Sequence, residues 1–363
     1  MSSLNKQYCR RTFINESSLL FASLVLGGIP VNGAKGYHTS INKNKLVSTL
    51  TGDVPCNKLG TTLMHEHVLW FGGPRLEDPG YLPIPVDLQK ATVDFAVSLL
   101  NEAAHAGVDT VVDLTPFRPL GLYKRIAEKT TVKIIPSTGF YRRAKIPKWL
   151  ADMEDEKQME ELMLKDLTEG IEGTKIRAGI IKVAGEGASL SDWEKKVFRA
   201  AARVQKATGC PIATHTGGPF EQFELLVKTG ADPHRIFLSH VDVGRKGKPG
   251  DLLTIAKEGC YLEVDTFGQD FYTPWSELVS FLRAFCDAGL GNKIFISIDS
   301  NWHWENRQKI FEGAGAPNFD PNASKRNFAY MMTDAVPALL RSGFSKAEIH
   351  TFLVDNPRNY FCG

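Results

Sequence analysis

The feature that most restricts the fold of this 363-residue chain is an alternation of short β-branched runs with longer amphipathic segments. The runs are "TTLMHEHV" (61–68), "VDTVVDLT" (108–115), "TVKIIPSTGFY" (131–141), "AGIIKVAG" (178–185), "CPIATHTG" (210–217), "RIFLSHVD" (235–242), "GCYLEVDTFG" (259–268) and "NKIFISIDS" (292–300). Each is apolar and bounded by polar residues or glycine, the pattern of a strand buried on both faces in a parallel sheet. Helical patterns separate them at 87–106, 121–129, 155–172, 191–208, 220–229, 250–258 and 276–288, with more helix after 324. Ser191-Asp192-Trp193-Glu194 has the spacing of a capping box opening one of these helices. Eight such repeats predict an α/β protein, a single (β/α)8 TIM barrel over 61–363 rather than an open sheet. "KLVSTLTGDVPCNKLG" (45–60) fits a short N-terminal β-hairpin, and 34–60 together form a lead-in to the barrel.

In such a barrel chemistry sits at the C-terminal ends of the strands. Polar residues fall there repeatedly: His65 and His67 on the first strand, Lys182 on the fourth, His215 on the fifth, His240 on the sixth, Asp265 on the seventh and Asp299 on the eighth. Side chains at i and i+2 of a strand share a face, so His65 and His67 can reach one ion. A single such histidine is usually a satisfied core or loop residue; four of them converging with an aspartate point to metal. Lys182 conflicts with that reading, because an ammonium with a pKa of about 10.4 repels a cation. Reaction of its amine with CO2 removes the conflict, since a carbamate is an anionic ligand whose two oxygens can bridge two metals. The alternative is a lysine at the core edge snorkelling outward.

"TLMHEHV", "GIIKVAG", "IATHTG", "FLSHVD" and "ISIDSNW", in that order, resemble the strand motifs of the phosphotriesterase family within the amidohydrolase superfamily. The resemblance extends to the closing "VDNPRNYF" (354–361). It implies that His65, His67 and Asp299 hold one divalent metal, that His215 and His240 hold a second, and that carbamylated Lys182 bridges them. His and carboxylate ligands suit zinc, although manganese, cobalt and iron accept the same donors. The implied chemistry is hydrolysis by a metal-bridging hydroxide, with Asp299 as the catalytic proton acceptor.

Departures from the family bear on substrate. Members with good organophosphate activity resemble one another in a histidine after the seventh-strand aspartate and an aspartate three residues after the sixth-strand histidine; here Thr266 and Val243 stand at those positions. Lactonase-like members read "LDRYG" where this chain has Val264-Asp265-Thr266-Phe267-Gly268, without the arginine. A carboxylic ester or lactone is expected ahead of a phosphotriester or phosphodiester. Tyr141, Asp265, Tyr272 and Trp302 are candidate substrate contacts. The loops after the last two strands carry Phe271, Tyr272, Trp275, Trp302 and Trp304, which suit a ring-containing small molecule or, equally, a homodimer contact.

Two other classes fit parts of the pattern. A Schiff-base aldolase would use Lys182 as a nucleophile of depressed pKa, but has no need of the histidines. A non-catalytic exported binding protein on a barrel scaffold would not keep every ligand position filled.

The N-terminus reads as an address. "CRRTFINESSLLFASLVLGGIPVNGAKG" places Arg10-Arg11 before a modest apolar run and small residues near 33, resembling a twin-arginine signal peptide over 1–33 that directs export to the periplasm or medium. Lys and Arg number 43 against 41 Asp and Glu, and that surplus lies in Lys6, Arg10 and Arg11 against Glu16. The remaining chain is balanced, which excludes a general electrostatic attraction to nucleic acid or to an anionic membrane. Cys56, Cys210, Cys260, Cys286 and Cys362 remain after that segment, an odd number without a C-x-x-C pair. They are expected to be core residues rather than a disulfide framework.

Overall fold

In the computed structural model an antiparallel hairpin, β1 (Leu46–Thr49) and β2 (Gly52–Pro55), leads into eight strands. These are β3 (Thr62–Glu66), β4 (Thr110–Asp113), β5 (Lys133–Gly139), β6 (Ile180–Ala184), β7 (Ile212–His215), β8 (Ile236–Leu238), β9 (Tyr261–Val264) and β10 (Ile294–Ile296). The structure describes residues 45–69, 84–215, 217–305, 308–311 and 326–363; the expected signal and residues 34–44 lie outside them. Every neighbouring pair from β3 to β10 is parallel and the spatial order is the chain order, as right-handed β–helix–β units dictate. Strands β10 and β3 meet across the remaining gap. The Asp299 amide donates to the His65 carbonyl at 3.1 Å, and the His67 amide donates to the Ser300 carbonyl at 3.0 Å.

Helices α1 (Gln89–Ala106), α2 (Leu120–Ala127), α3 (Lys148–Ala151), α4 (Glu156–Thr168), α5 (Asp192–Thr208), α6 (Pro219–Thr229), α7 (Leu252–Lys257) and α8 (Trp275–Asp287) fall in the segments between strands. The capping box of α5 forms: Ser191 Oγ accepts from the Glu194 amide at 3.3 Å, and Glu194 Oε2 accepts from the Ser191 amide at 2.6 Å. After the barrel come α9 (Val336–Arg341), α10 (Lys346–His350) and α11 (Asn356–Cys362). Wide turns of π type at Met331–Ala335 and Thr351–Asp355 stand just before Pro337 and Pro357. Proline lacks the N–H that the regular ladder needs there, so the hydrogen bonding slips register.

The strands sort their side chains with period two. Ile181, Val183, Ile212, Leu262 and Ile296 pack outward against the helices, while Ile180, Ala213, Phe237, Tyr261 and Phe295 fill the barrel's lower interior. The next inward positions, two residues further along the same strands, are Lys182, His215, Glu263 and Ser297. The polar site thus sits directly on an apolar plug.

Two sequence expectations are corrected. Cys56 and Cys362 are joined by a disulfide that ties the end of the hairpin to the last helix, whereas Cys210, Cys260 and Cys286 are free thiols. Their 306-residue separation hides the pair in sequence, and only barrel closure brings the two ends of the domain together. The aromatic segment after β10 forms a second hairpin, β11 (Trp302–Glu305) and β12 (Gln308–Phe311), rather than an irregular loop.

Candidate metal centre

The rings of His65, His67, His215 and His240 cluster, with centroids 5.4 Å apart for His65–His67, 5.0 Å for His65–His240 and 4.6 Å for His215–His240. Simple strand alternation does not account for the first pair. The β3–β4 register shifts between Leu63 and Glu66, β3 ends at Glu66, and His67 lies just beyond it. That irregularity re-aims both rings, a common use of bulges beside active sites.

Three of the rings are fixed through Nδ1. His65 Nδ1 faces Glu263 Oε2 at 2.9 Å and Asp265 Oδ2 at 3.1 Å, His67 Nδ1 faces Thr115 Oγ1 at 2.8 Å, and His240 Nδ1 faces Asp265 Oδ1 at 2.9 Å. Each therefore turns Nε2 toward a shared space. There Asp299 Oδ1 lies 3.2 Å from His67 Nε2 and 3.6 Å from His65 Nε2, and His240 Nε2 lies 2.9 Å from His215 Nδ1. Lys182 Nζ stands 3.4 Å from His65 Nε2 and donates to the Thr214 carbonyl at 3.0 Å. The six candidate metal ligands among the seven polar residues expected at the strand ends are brought together, with Asp265 beside them.

Electrostatics follow from burial. Burial, reinforced by the Lys182 charge, holds the His65 imidazole well below its usual range, and burial with the His240 charge does the same for His215. At His240 burial is outweighed by the Asp265 carboxylate, which raises it to about 9. Burial lowers Lys182 to about 8 despite the surrounding acids. Asp299 is held well below the carboxylate range, because the facing His65 and His67 overcome the cost of its burial.

The backbone is strained at two of these residues: His240 (φ 55°) and Asp299 (φ 52°) occupy the left-handed region, at about 1–3 kcal/mol each for a non-glycine residue. Glu66, buried between the two histidines, explains how the second persists. Its carboxylate accepts from the Ile298 amide at 3.1 Å and the Ser300 amide at 2.8 Å, on either side of Asp299, and from Ser297 Oγ at 2.8 Å.

The candidate substrate contacts fare differently. Tyr141 sits beside His215, ring centroids 5.1 Å apart. Tyr272 is half exposed on the loop after β9, its ring against Phe271. Asp265 is not a substrate contact: it is wholly buried and orients His65 and His240. Trp302 is not one either, being a core residue that donates from Nε1 to the Val68 carbonyl at 3.1 Å and meets Phe95 edge-on.

Three acids escaped the sequence reading. Glu66 and Glu263 are carboxylates in the registers of buried apolar strands, a placement that marks them as bonded or functional. Asp242 is the third. Val243 is exposed, but Asp242 one residue earlier is buried and accepts a hydrogen bond from Thr266 Oγ1. Burial and the nearby Asp265 raise it to about 6.

The donor set fits divalent cations. Three imidazoles are anchored at Nδ1 with Nε2 turned inward, and Asp299 Oδ1 is buried yet accepts no hydrogen bond. His65, His240 and Asp299 place ligand atoms within 4.8 Å of one another.

The similarities of the whole chain agree with this site. A phosphotriesterase homology protein of Mycobacterium tuberculosis is 30% identical over 329 residues, covering 87% of this chain and 97% of that protein. The structure of a Deinococcus radiodurans PTE-like lactonase mutant superposes with a TM-score of 0.75 at 32% identity, covering 87% of this chain and 99% of that one. The human N-acetyltaurine hydrolase is 27% identical over 359 residues, covering 86% of this chain and 97% of that protein. The phosphotriesterase family's sequence model matches residues 45–361. This chain belongs to the phosphotriesterase family, and so to the binuclear metal-dependent hydrolases.

Proposed function

We propose that the centre hydrolyses a carboxylic ester or lactone of a small organic molecule, with two divalent cations, zinc by donor chemistry, held by His65, His67 and Asp299 and by His215 and His240. Lys182, as a carbamate, would supply the bridging oxygens. Its burial favours that reaction, because an amine whose pKa has fallen to about 8 is more often the neutral nucleophile that CO2 requires. When bound, such cations lower the pKa of water and polarise a carbonyl oxygen. Asp299 then has a proton to move: Oδ1 accepts it from the attacking water and returns it to the departing alkoxide. Asp265 and Glu263 keep His65 oriented throughout, and Asp265 does the same for His240.

The observation that carries this reading is the Asp299 carboxylate oxygen, buried without a hydrogen-bond donor and faced by two imidazole nitrogens. An ester or lactone is favoured over a phosphotriester because Thr266 and Val243 replace the histidine and aspartate of the organophosphate-active members. Measuring kcat/KM on one metal-loaded preparation for a lactone, an aryl ester, a phosphotriester and a phosphodiester tests it. A phosphoester preferred tenfold, about 1.4 kcal/mol of transition-state stabilisation, overturns the ranking.

Export completes the proposal. Arg10-Arg11 precede the apolar run, and the Cys56–Cys362 disulfide suits an oxidising compartment.

A further inference from the structure

The rim of the barrel beside His215 carries a cation that the hydrolytic centre does not use. Gly139, at the end of β5, has φ 119°, and a Cβ there would meet the Lys182 carbonyl at 2.1 Å. The glycine lets the chain pass close over β6, where the Phe140 amide donates to that carbonyl at 2.9 Å. The next two residues, Tyr141 and Arg142, are delivered to the mouth of the site. Tyr141 lies against His215, and the positive charge of Arg142 is among those felt at the same ring.

Arg142 differs from its basic neighbours. Arg143 donates to Glu154 at 2.6 Å and lies over the Trp193 ring, and Lys148 is bonded to Asp152. Arg142 meets Glu186 at 3.6 Å, with both side chains over one-third exposed, a pair that contributes about 0–1 kcal/mol. That contact is made by Nε, which faces the Glu186 carboxylate beyond hydrogen-bond distance, is shielded from water and makes no hydrogen bond. A desolvated guanidinium N–H gains strongly from an oxyanion, and the weak Glu186 contact is readily exchanged for one. Glu186 itself is on the loop after β6, four residues beyond Lys182, so the pair stands at the edge of the centre.

We propose that Arg142 binds an anionic group on the substrate, so that the molecule hydrolysed carries a carboxylate, sulfonate or phosphate remote from the bond that is cleaved. This rests on the hydrolase reading above and adds a substrate class to it. The lactonase-type arginine absent at 266 is then replaced in charge, though not in place, by one from the loop after β5. Arg142 is a binding residue here, with no part in proton transfer.

The test compares matched probes on the metal-loaded full-length protein: mono-(4-nitrophenyl) glutarate against neutral 4-nitrophenyl butyrate, and 2-acetoxyethanesulfonate against 3-acetoxypropanoate to separate sulfonate from carboxylate. Arg142→Gln should lower the anionic-to-neutral ratio of kcat/KM at least tenfold, mainly through KM, with Arg142→Lys intermediate because it loses the planar fork. Glu186→Gln should raise the ratio, since it removes the competing anion. Calorimetric titration with methanesulfonate reads binding without turnover and should weaken at least tenfold in Arg142→Gln. Ratios within twofold of wild type in both variants, or unchanged methanesulfonate affinity in Arg142→Gln, overturn the proposal. Wild-type protein that binds methanesulfonate through Arg142 but cleaves no probe would refute the ester reading and leave the anion site standing.

Discussion

Removing the Cys56–Cys362 disulfide should cost this barrel several kcal/mol without touching its chemistry. The bond closes a loop with a sequence separation of 306. The chain-entropy relation puts the stabilisation for such a loop at about 5.7 kcal/mol at 25 °C, just above the roughly 2–5 kcal/mol seen when native disulfides are removed. Unfolding entropy of about 2.1 cal/mol/K per residue, over the roughly 320 residues of the folded unit, converts that to a fall of about 8 °C in Tm. Cys56→Ala with Cys362→Ala is the suitable variant, because both positions are buried and a small apolar side chain leaves no unpaired hydroxyl. Differential scanning calorimetry measures the shift. Thiol titration of the unfolded, unreduced protein without residues 1–33 should find three of its five cysteines reactive, and all five after reduction. The bridge packs with Leu59, Tyr360 and Phe361 in the lower barrel, below the candidate metal ligands, so activity at 25 °C should persist. A Tm change under about 2 °C, with the three-thiol count confirmed, would refute the loop-entropy reasoning.

Lys182→Ala should abolish turnover and reduce bound metal below two per chain, with partial recovery in short carboxylic acids plus bicarbonate; full metal content by elemental analysis would show that the lysine bridges nothing. Glu66→Gln disturbs two amide contacts to a carboxyl that burial pushes up to about 8, each worth about 0.5–1.5 kcal/mol, and so should loosen the left-handed turn at Asp299 and lower metal affinity more than Tm. Equal metal affinity in a chelator titration would count against that positioning role. Replacing Arg10 and Arg11 by lysine should leave the protein in the cytoplasm, and fractionation that finds it still exported would argue for another route.

Much of the site was legible because it follows local periodicity. Ala213 fills the barrel and His215, two residues on, points inward above it; Ile180 and Lys182 repeat the relation, so a polar residue after an apolar run was enough to find them. The capping box at Ser191 was equally local. Other features depended on which strands become neighbours. Asp265 reads as a mouth residue in its own strand, yet barrel closure sets it against His65 and His240, and Glu263 gains its meaning from the same contact. Trp302 looked like a pocket aromatic until β11 laid it on Phe95. Cys56 and Cys362, and Arg142 opposite Glu186, are likewise pairs made by the fold. Sequence by itself determined which residues of β6, β7, β9 and β10 face the barrel axis, because along those strands the two-residue repeat holds. Tertiary structure decided which of those residues anchor another side chain and which merely pack, because that depends on partners as far as 234 positions away that only the closed sheet brings within bonding distance.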